Sequence, residues 1–198
     1  MFNTVQSVLG GYVGKVLEQS DITQIYKALY PANPLPLSAD GKFERLTFHH
    51  ERFHLCVQDV EDLCRAHWAE TEGHRNDHEM KPNWPYFLDR EAHGAYTQFV
   101  ARNEDGEMIG HMGTEIMRST QDSRLFAKEN ALYFKPEYRN GKNALAFGQY
   151  CEECLAAYGV EELHCSTRDN NNADKLLVRL GFDRIGSLFI KRLSNVRK

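Results

Sequence analysis

The sequence predicts one α/β domain, a mixed sheet with helices on its faces, preceded by a helical extension. Three observations carry that expectation. Short strand-like runs and longer runs with apolar residues at three-and-four spacing follow one another along most of the chain. The last third reads as strand, helix, strand, helix, strand. A break running from Pro31 through Pro34, Pro36 and Gly41 sets off the first 30 residues.

In residues 1–30, Val5, Val8, Leu9, Tyr12, Val13, Val16 and Leu17 lie on one helical face, weakened by Gly10, Gly11 and Gly14. Ile22, Ile25, Tyr26 and Leu29 suit a second short helix. We therefore expect an extension and Pro-rich linker over 1–42 and the main domain over 43–198. The extension's stripe suits packing on the main domain, on a second copy or on a protein partner.

Beyond the break, 53–57 reads as a short strand, and Asp59 as the cap of a helix with Val60, Leu63, Cys64, His67 and Trp68 on its apolar face. A histidine-rich loop over 70–81 leads to a helix opened by Asn83-Trp84-Pro85. Strands over 96–102 and 107–117 flank the turn Asn103-Glu-Asp-Gly106. A strand over 131–135 ends at Pro136. The next helix places Ala144, Phe147, Gly148, Cys151, Cys154, Leu155 and Tyr158 on one face and stops at Gly159. The chain closes with a strand over 163–167, a helix capped within 170–172 and stopped by Gly181, and a strand over 182–192.

The 198 residues include 41% hydrophobic and 11% aromatic side chains, enough for a substantial core and incompatible with wholesale disorder. Net charge is −4, with 24 Lys+Arg against 28 Asp+Glu, which argues against nonspecific nucleic-acid binding. No apolar run reaches the length of about 20 residues that spans a bilayer, and the first twenty residues lack a secretory pattern. Five cysteines without a secreted rhythm suit reduced thiols, so a cytoplasmic protein is expected. Residues 59–91 hold nine acids and four bases, which suits a cationic acceptor nearby or a solvated helix face.

The segment Ala131-Leu132-Tyr133-Phe134-Lys-Pro136-Glu-Tyr-Arg139-Asn140-Gly141-Lys142-Asn143-Ala144 carries the most chemistry. A short polar loop delivered into a helix N-terminus aims backbone N–H groups outward and favours phosphate, and Arg139 and Lys142 would add charge. The same residues also suit an ordinary strand-to-helix connection with solvated basic side chains.

This segment, with Asn170-x-x-Ala173, Leu177 and Leu180-Gly181-Phe182, resembles the GCN5-related N-acetyltransferase (GNAT) family over residues 53–193. The first block is similar to the family's strand, Pro-x-x-Arg and glycine-rich turn; the second is similar to its Asn-x-x-Ala…Tyr…Gly-Phe pattern. His67-Trp-Ala-Glu-Thr-Glu is similar to acetyltransferase-like proteins carried by bacteriophages, for which the host cytoplasm would be the compartment. The resemblance implies a mostly antiparallel twisted sheet and an acetyl-CoA cofactor in a cleft where the family's fourth and fifth strands splay. The backbone of Leu132, Tyr133 and Phe134 would hold the pantetheine arm. The turn Arg139, Asn140, Gly141, Lys142, Asn143 and Ala144 would hold the pyrophosphate, with Asn170 near the CoA arm. An amine of a small molecule or protein would attack the thioester directly.

Two residues depart from the family pattern. Lys142 replaces the first turn glycine, with Gly141 one place earlier, and Leu177 stands where the family has the tyrosine that protonates the leaving thiolate. Tyr150 or water would then have to donate. The candidate bases are Glu129 and, on the neighbouring strand, Glu115. Strict alternation groups Glu129 with Ala131 and Tyr133, and a bulge would change that phase.

Other patterns point away from metal chemistry. Cys151-x-x-Cys154 lies inside an amphipathic helix, so both suit a core. His50-x-x-x-His54 and His74-x-x-x-His78 lack an accompanying glutamate pattern, no metal site is expected, and Cys165 suits the core face of its strand. The leading function is transfer of an acetyl group from acetyl-CoA to an amine; the alternative is a catalytically inactive scaffold, in a phage particle or against a host partner.

Overall fold

A computed structural model describes residues 2–73, 79–168 and 173–190, with side chains from residue 5 onward. The strands β1 (Gly41–Phe43), β2 (Leu46–Glu51), β3 (Tyr96–Arg102), β4 (Met108–Arg118), β5 (Leu125–Phe134) and β6 (Glu162–His164) form one sheet in that order. Every neighbouring pair is antiparallel except β5 and β6, which are parallel. The helices are α1 (Phe2–Gly10), α2 (Gln19–Leu29), α3 (Phe53–Thr71), α4 (Trp84–Ala92), α5 (Lys142–Ala157) and α6 (Asp174–Arg179).

The sheet has a core on each face. On one, Phe48, Phe99, Met112, Ala127 and Phe134 pack against Phe147, Cys151, Cys154 and Leu155 of α5. On the other, Tyr96, Val100 and Tyr133 pack against Phe53, Cys56, Val60 and Leu63 of α3, with Trp84 and Phe87 of α4. A two-faced sheet needs both layers, which is why β3 reads as an unbroken buried run rather than an alternating one.

Several sequence expectations are corrected. Residues 53–57 are helix, not strand, because Phe53, Cys56, Val60 and Leu63 continue the three-and-four spacing of α3 back to its first turn. The N-terminal amide of Phe53, buried and without a partner in its own helix, is satisfied by the buried Glu91 Oε1 at 2.8 Å, a partner 38 residues away. Asp59 lies mid-helix and accepts from Arg102 Nη1 at 3.1 Å instead of capping. The hairpin β1–β2 was hidden by its neighbouring prolines; Gly41 is required there, since a Cβ would lie 2.7 Å from the Tyr150 ring. The strand expected over 163–167 shortens to Glu162–His164. Residues 182–190 form no strand, and Ile185, Leu188 and Phe189 are exposed; 191–192 lie outside the described residues.

Asn103 builds the expected β3–β4 turn by accepting the amides of Asp105 and Glu107 on Oδ1, at 3.1 and 2.9 Å. β1 straddles the expected junction between residues 42 and 43, and the Pro-rich segment before it is strapped to the domain. Tyr158 OH donates to Pro36 O at 2.9 Å, Tyr150 OH to Ala39 O at 3.2 Å, and Arg52 Nη2 to Leu35 O at 2.9 Å. α1 and α2 pack on one another, and α2 reaches α4 through Tyr26 OH, which donates to Asp89 Oδ1 at 3.3 Å.

Candidate functional site

β5 and β6 pair only over Phe126↔Glu162, Ala127↔Leu163 and Lys128↔His164 and then diverge. Beyond that point a cavity of about 350 Å³ opens between Glu129, Asn130, Ala131 and Leu132 on one strand and Cys165, Ser166, Thr167 and Arg168 on the other. Cys64, His67, Trp68 and Thr71 of α3 and Glu72 just after it wall it on one side, with Met80; Ala173, Leu176 and Leu177 close the other.

Glu129 sits at the fork. Between Gly113↔Ala131 and Thr114↔Glu129 the register shifts, so Asn130 is an extra residue on β5. The bulge moves Glu129 off the face of Ala131 and Tyr133 and onto that of Ala127 and Leu132. Its carboxylate accepts the Ser166 amide at 3.5 Å and also takes the Leu132 amide, one donor from each diverging segment. Burial outweighs those bonds and pushes its carboxyl up to about 7, so near neutral pH it can either accept or hold a proton.

Across the cavity, His67 stacks on Tyr133 with ring centroids 5.3 Å apart, and burial lowers its pKa, keeping the imidazole neutral. Cys64 Sγ lies 3.8 Å from Nε2 of the fully buried His111, whose Nδ1 is 3.4 Å from Gln98 Nε2. Burial pushes the Cys64 thiol up to about 11 and the Cys165 thiol to about 12, so neither is a thiolate nucleophile at neutral pH.

The expected cofactor segment forms one wall and its end. Leu132 lines the cavity, Tyr133 faces α3, and Phe134 enters the α5 core. The 3₁₀ turn Pro136–Tyr138 and Gly141, at φ +80°, lead into α5. Asn143 is buried with Nδ2 donating to Tyr138 O at 3.1 Å, Ala144 packs on the core, and Arg139, Asn140 and Lys142 are exposed. Since β6 pairs with β5 only as far as Lys128, the edge of residues 129–134 facing the cavity has no strand partner among the described residues, which suits an extended amide-bearing arm such as pantetheine.

Two candidates lie elsewhere. Tyr150 is in the core beneath α5, its hydroxyl given to Ala39 O, and it does not line the cavity; the aromatic packing of Phe48 and Phe99 holds it there. Glu115 is outside the cavity wall, accepting from Tyr86 OH at 2.9 Å and Asn130 Nδ2 at 3.0 Å. Asn170 and the His74/His78 pair lie outside the described residues. Sequence reasoning placed Cys165 in a core, whereas it lines the cavity, and it missed Thr71 and Arg168. Cys64 and His67 were legible only as members of an apolar helix face. Cys151 and Cys154 are buried core thiols as expected, and among the described residues no His/Cys/Asp/Glu group could hold a metal ion.

The acetyltransferase (GNAT) family matches residues 60–182, more than half of the chain. The chain belongs to that family. No curated protein sequence matches it significantly. Among solved structures, an aminoglycoside acetyltransferase from an uncultured soil metagenomic sample, in complex with trehalose, superposes at TM-score 0.60 with 12% identity, covering 75% of this chain and 97% of that one. A ribosomal-protein-alanine N-acetyltransferase from Brucella melitensis biovar Abortus 2308 gives 0.60 and 14%, covering 77% and 100%. AAC(6')-Iy in complex with the bisubstrate analogue CoA-S-monomethyl-acetylneamine gives 0.58 and 17%, covering 75% and 98%. At these identities the likeness establishes the fold, a mixed six-stranded sheet flanked by helices with an N-terminal helical extension.

Proposed function

We propose that the protein is an N-acetyltransferase that moves an acetyl group from acetyl-CoA directly to an amine. The single observation that carries this reading is the fork of β5 and β6, where the bulge sets the half-buried carboxyl of Glu129 in a cavity bounded by the segment that resembles the family's cofactor-binding block. Acetyl-CoA supplies an activated acetyl thioester. The backbone of Leu132, Tyr133 and Phe134 would orient the pantetheine arm, the turn from Arg139 to Ala144 would hold the pyrophosphate, and Asn170 would lie near the arm.

Glu129 then takes the proton that an ammonium must shed before it can attack, and a carboxyl near 7 does so at neutral pH. Half-buried Leu177 has no proton to give, so water or the newly protonated Glu129 returns the proton to the CoA sulfur, whose thiol pKa of about 8.5 makes it a tolerable leaving group. Of the two acids that line the cavity, Glu72 is paired with Arg168, and Glu129 suits a primary amine on a small molecule or protein. Solved relatives named for aminoglycosides and for a ribosomal protein support that class. Among the described residues no helix is long and apolar enough to cross a membrane; we place the protein in the cytoplasm, the host's if the phage resemblance of residues 67–72 holds.

The second reading, an inactive scaffold in a phage particle or against a host protein, is favoured by one observation: Leu177 lines the cavity where the family carries its acid. Calorimetric titration with acetyl-CoA, followed by an amine screen for released CoA thiol, separates the two. Saturable one-to-one binding with turnover supports the enzyme. Binding without turnover on any amine supports the scaffold, and absence of binding up to millimolar ligand removes the acetyl-CoA reading.

A further inference from the structure

Several of the donors that the turn would offer a pyrophosphate, those of Arg139 and the amides of Lys142 and Asn143, are already satisfied by oxygens of the chain itself. Arg139 Nη1 and Nη2 donate to the two carboxylate oxygens of Glu70, each at 2.7 Å, while Nε donates to Phe134 O at 2.8 Å. The guanidinium also covers the Tyr133 ring, 4.9 Å from its centroid. Asn140 Oδ1 accepts the amides of Lys142 and Asn143 at 3.1 and 2.9 Å, at the start of α5. A carboxylate on a guanidinium fork and an oxygen on helix-terminal amides are the contacts that phosphate groups would otherwise make.

The second glutamate of the same helix end repeats the pattern. Glu72 Oε1 accepts from Arg168 Nε at 2.5 Å, and Arg168 lies in the segment that diverges from β5. The end of α3 is thus tied by carboxylates to both sides of the cleft. Those ties hold His67, Trp68 and Thr71 in the cavity wall.

We propose that Glu70 is a positioning residue of the cofactor site that occupies Arg139 in place of a phosphate, so that acyl-CoA binding displaces it and releases the last turn of α3. The proposal rests on the acyl-CoA reading given above. The side chains of Arg139 and Glu70 are 36% and 39% exposed, so solvent screens the pair and a more highly charged phosphate can replace the carboxylate. A thioester without a pyrophosphate has nothing to put on Arg139 and leaves the pair intact. Glu70 therefore sets both the affinity for acyl-CoA and the preference for it over shorter pantetheine thioesters.

The test compares the full chain with Glu70→Gln, each titrated with acetyl-CoA and with acetyl-pantetheine, with hydrogen exchange followed over residues 66–73. Removing the competing charge should tighten acetyl-CoA binding about three- to tenfold, the scale of an exposed ion pair, and leave acetyl-pantetheine unchanged. Exchange over 66–73 should be faster in Glu70→Gln without ligand, and should rise in the wild type when acetyl-CoA is added. Unchanged or weaker acetyl-CoA binding by the variant, beside a wild type that binds, overturns the role of Glu70 and leaves the cofactor reading standing. An equal gain for acetyl-pantetheine also overturns it, since Glu70 would then act by loosening the whole cavity. If both folded chains fail to bind acetyl-CoA, the acyl-CoA reading falls and takes the proposal with it; unchanged exchange over 66–73 in the variant rejects the tether by itself.

Discussion

Glu129 owes its place at the fork to one extra residue, Asn130, on its strand. Without that bulge the pleat would turn the carboxyl to the Tyr133 face, and no feature of the local sequence announces it. The raised carboxyl has two measurable consequences. Turnover should rise with pH through about 7 as Glu129 loses its proton, and Glu129→Gln should lower kcat by about 10²- to 10³-fold while leaving acetyl-CoA affinity intact. The folded chain also keeps a proton that the unfolded chain gives up from about 4.5 upward, so stability should fall as pH rises from there through about 7. In urea titrations across that window the Gln variant should lack this part of the slope. Leu177 gives a complementary check: Leu177→Tyr should raise turnover if a missing acid limits the rate, and no gain would remove that explanation.

The elements were legible where one side of the chain decided them and obscured where a distant partner did. The α5 stripe from Ala144 to Leu155 and the Asn103–Gly106 turn carry their own instructions, and both form as expected. The start of α3 carries the apolar spacing but no cap of its own, because its first amide is satisfied from afar by Glu91, which is 5% exposed. Glu91→Ala should cost about 1–3 kcal/mol in chemical denaturation through the unsatisfied Phe53 N–H. β1 and β2 are similarly set from afar, by the strap in which Ser38 N and Tyr158 OH meet His50 Nδ1 at 3.3 and 2.7 Å. Burial, with Arg52 adding to it, lowers His50 to about 4. The folded chain therefore resists protonation that the unfolded chain accepts below 6.5, and stability from this residue should be lost as pH falls from 6.5 toward 4. Tyr158→Phe should cost about 1 kcal/mol and loosen residues 36–39 in hydrogen exchange.

At the scale of the molecule, the run from β3 to β6 was readable because a parallel β5–β6 pair needs the α5 crossover and the sheet needs a layer on each face, whereas the β1–β2 hairpin and the absence of a strand over 182–190 were not. The cavity was only half readable. The β5 wall and the α5 turn stand together in sequence, whereas Cys64, His67 and Thr71 reach the cleft only through the packing of α3 across the sheet. We propose residues 1–30 as an appendage and 33–39 as part of the domain. Deleting 1–30 should change self-association or partner binding and leave acetyl-CoA affinity within about twofold, the size of effect expected for a distant, independent site. The most direct test of the account is calorimetric titration of acetyl-CoA into the whole chain and into Arg139→Glu, with thermal melts of both. The account predicts saturable one-to-one binding by the wild type and its loss in a variant that melts normally. No wild-type binding up to millimolar ligand, or unchanged affinity in Arg139→Glu, would contradict it.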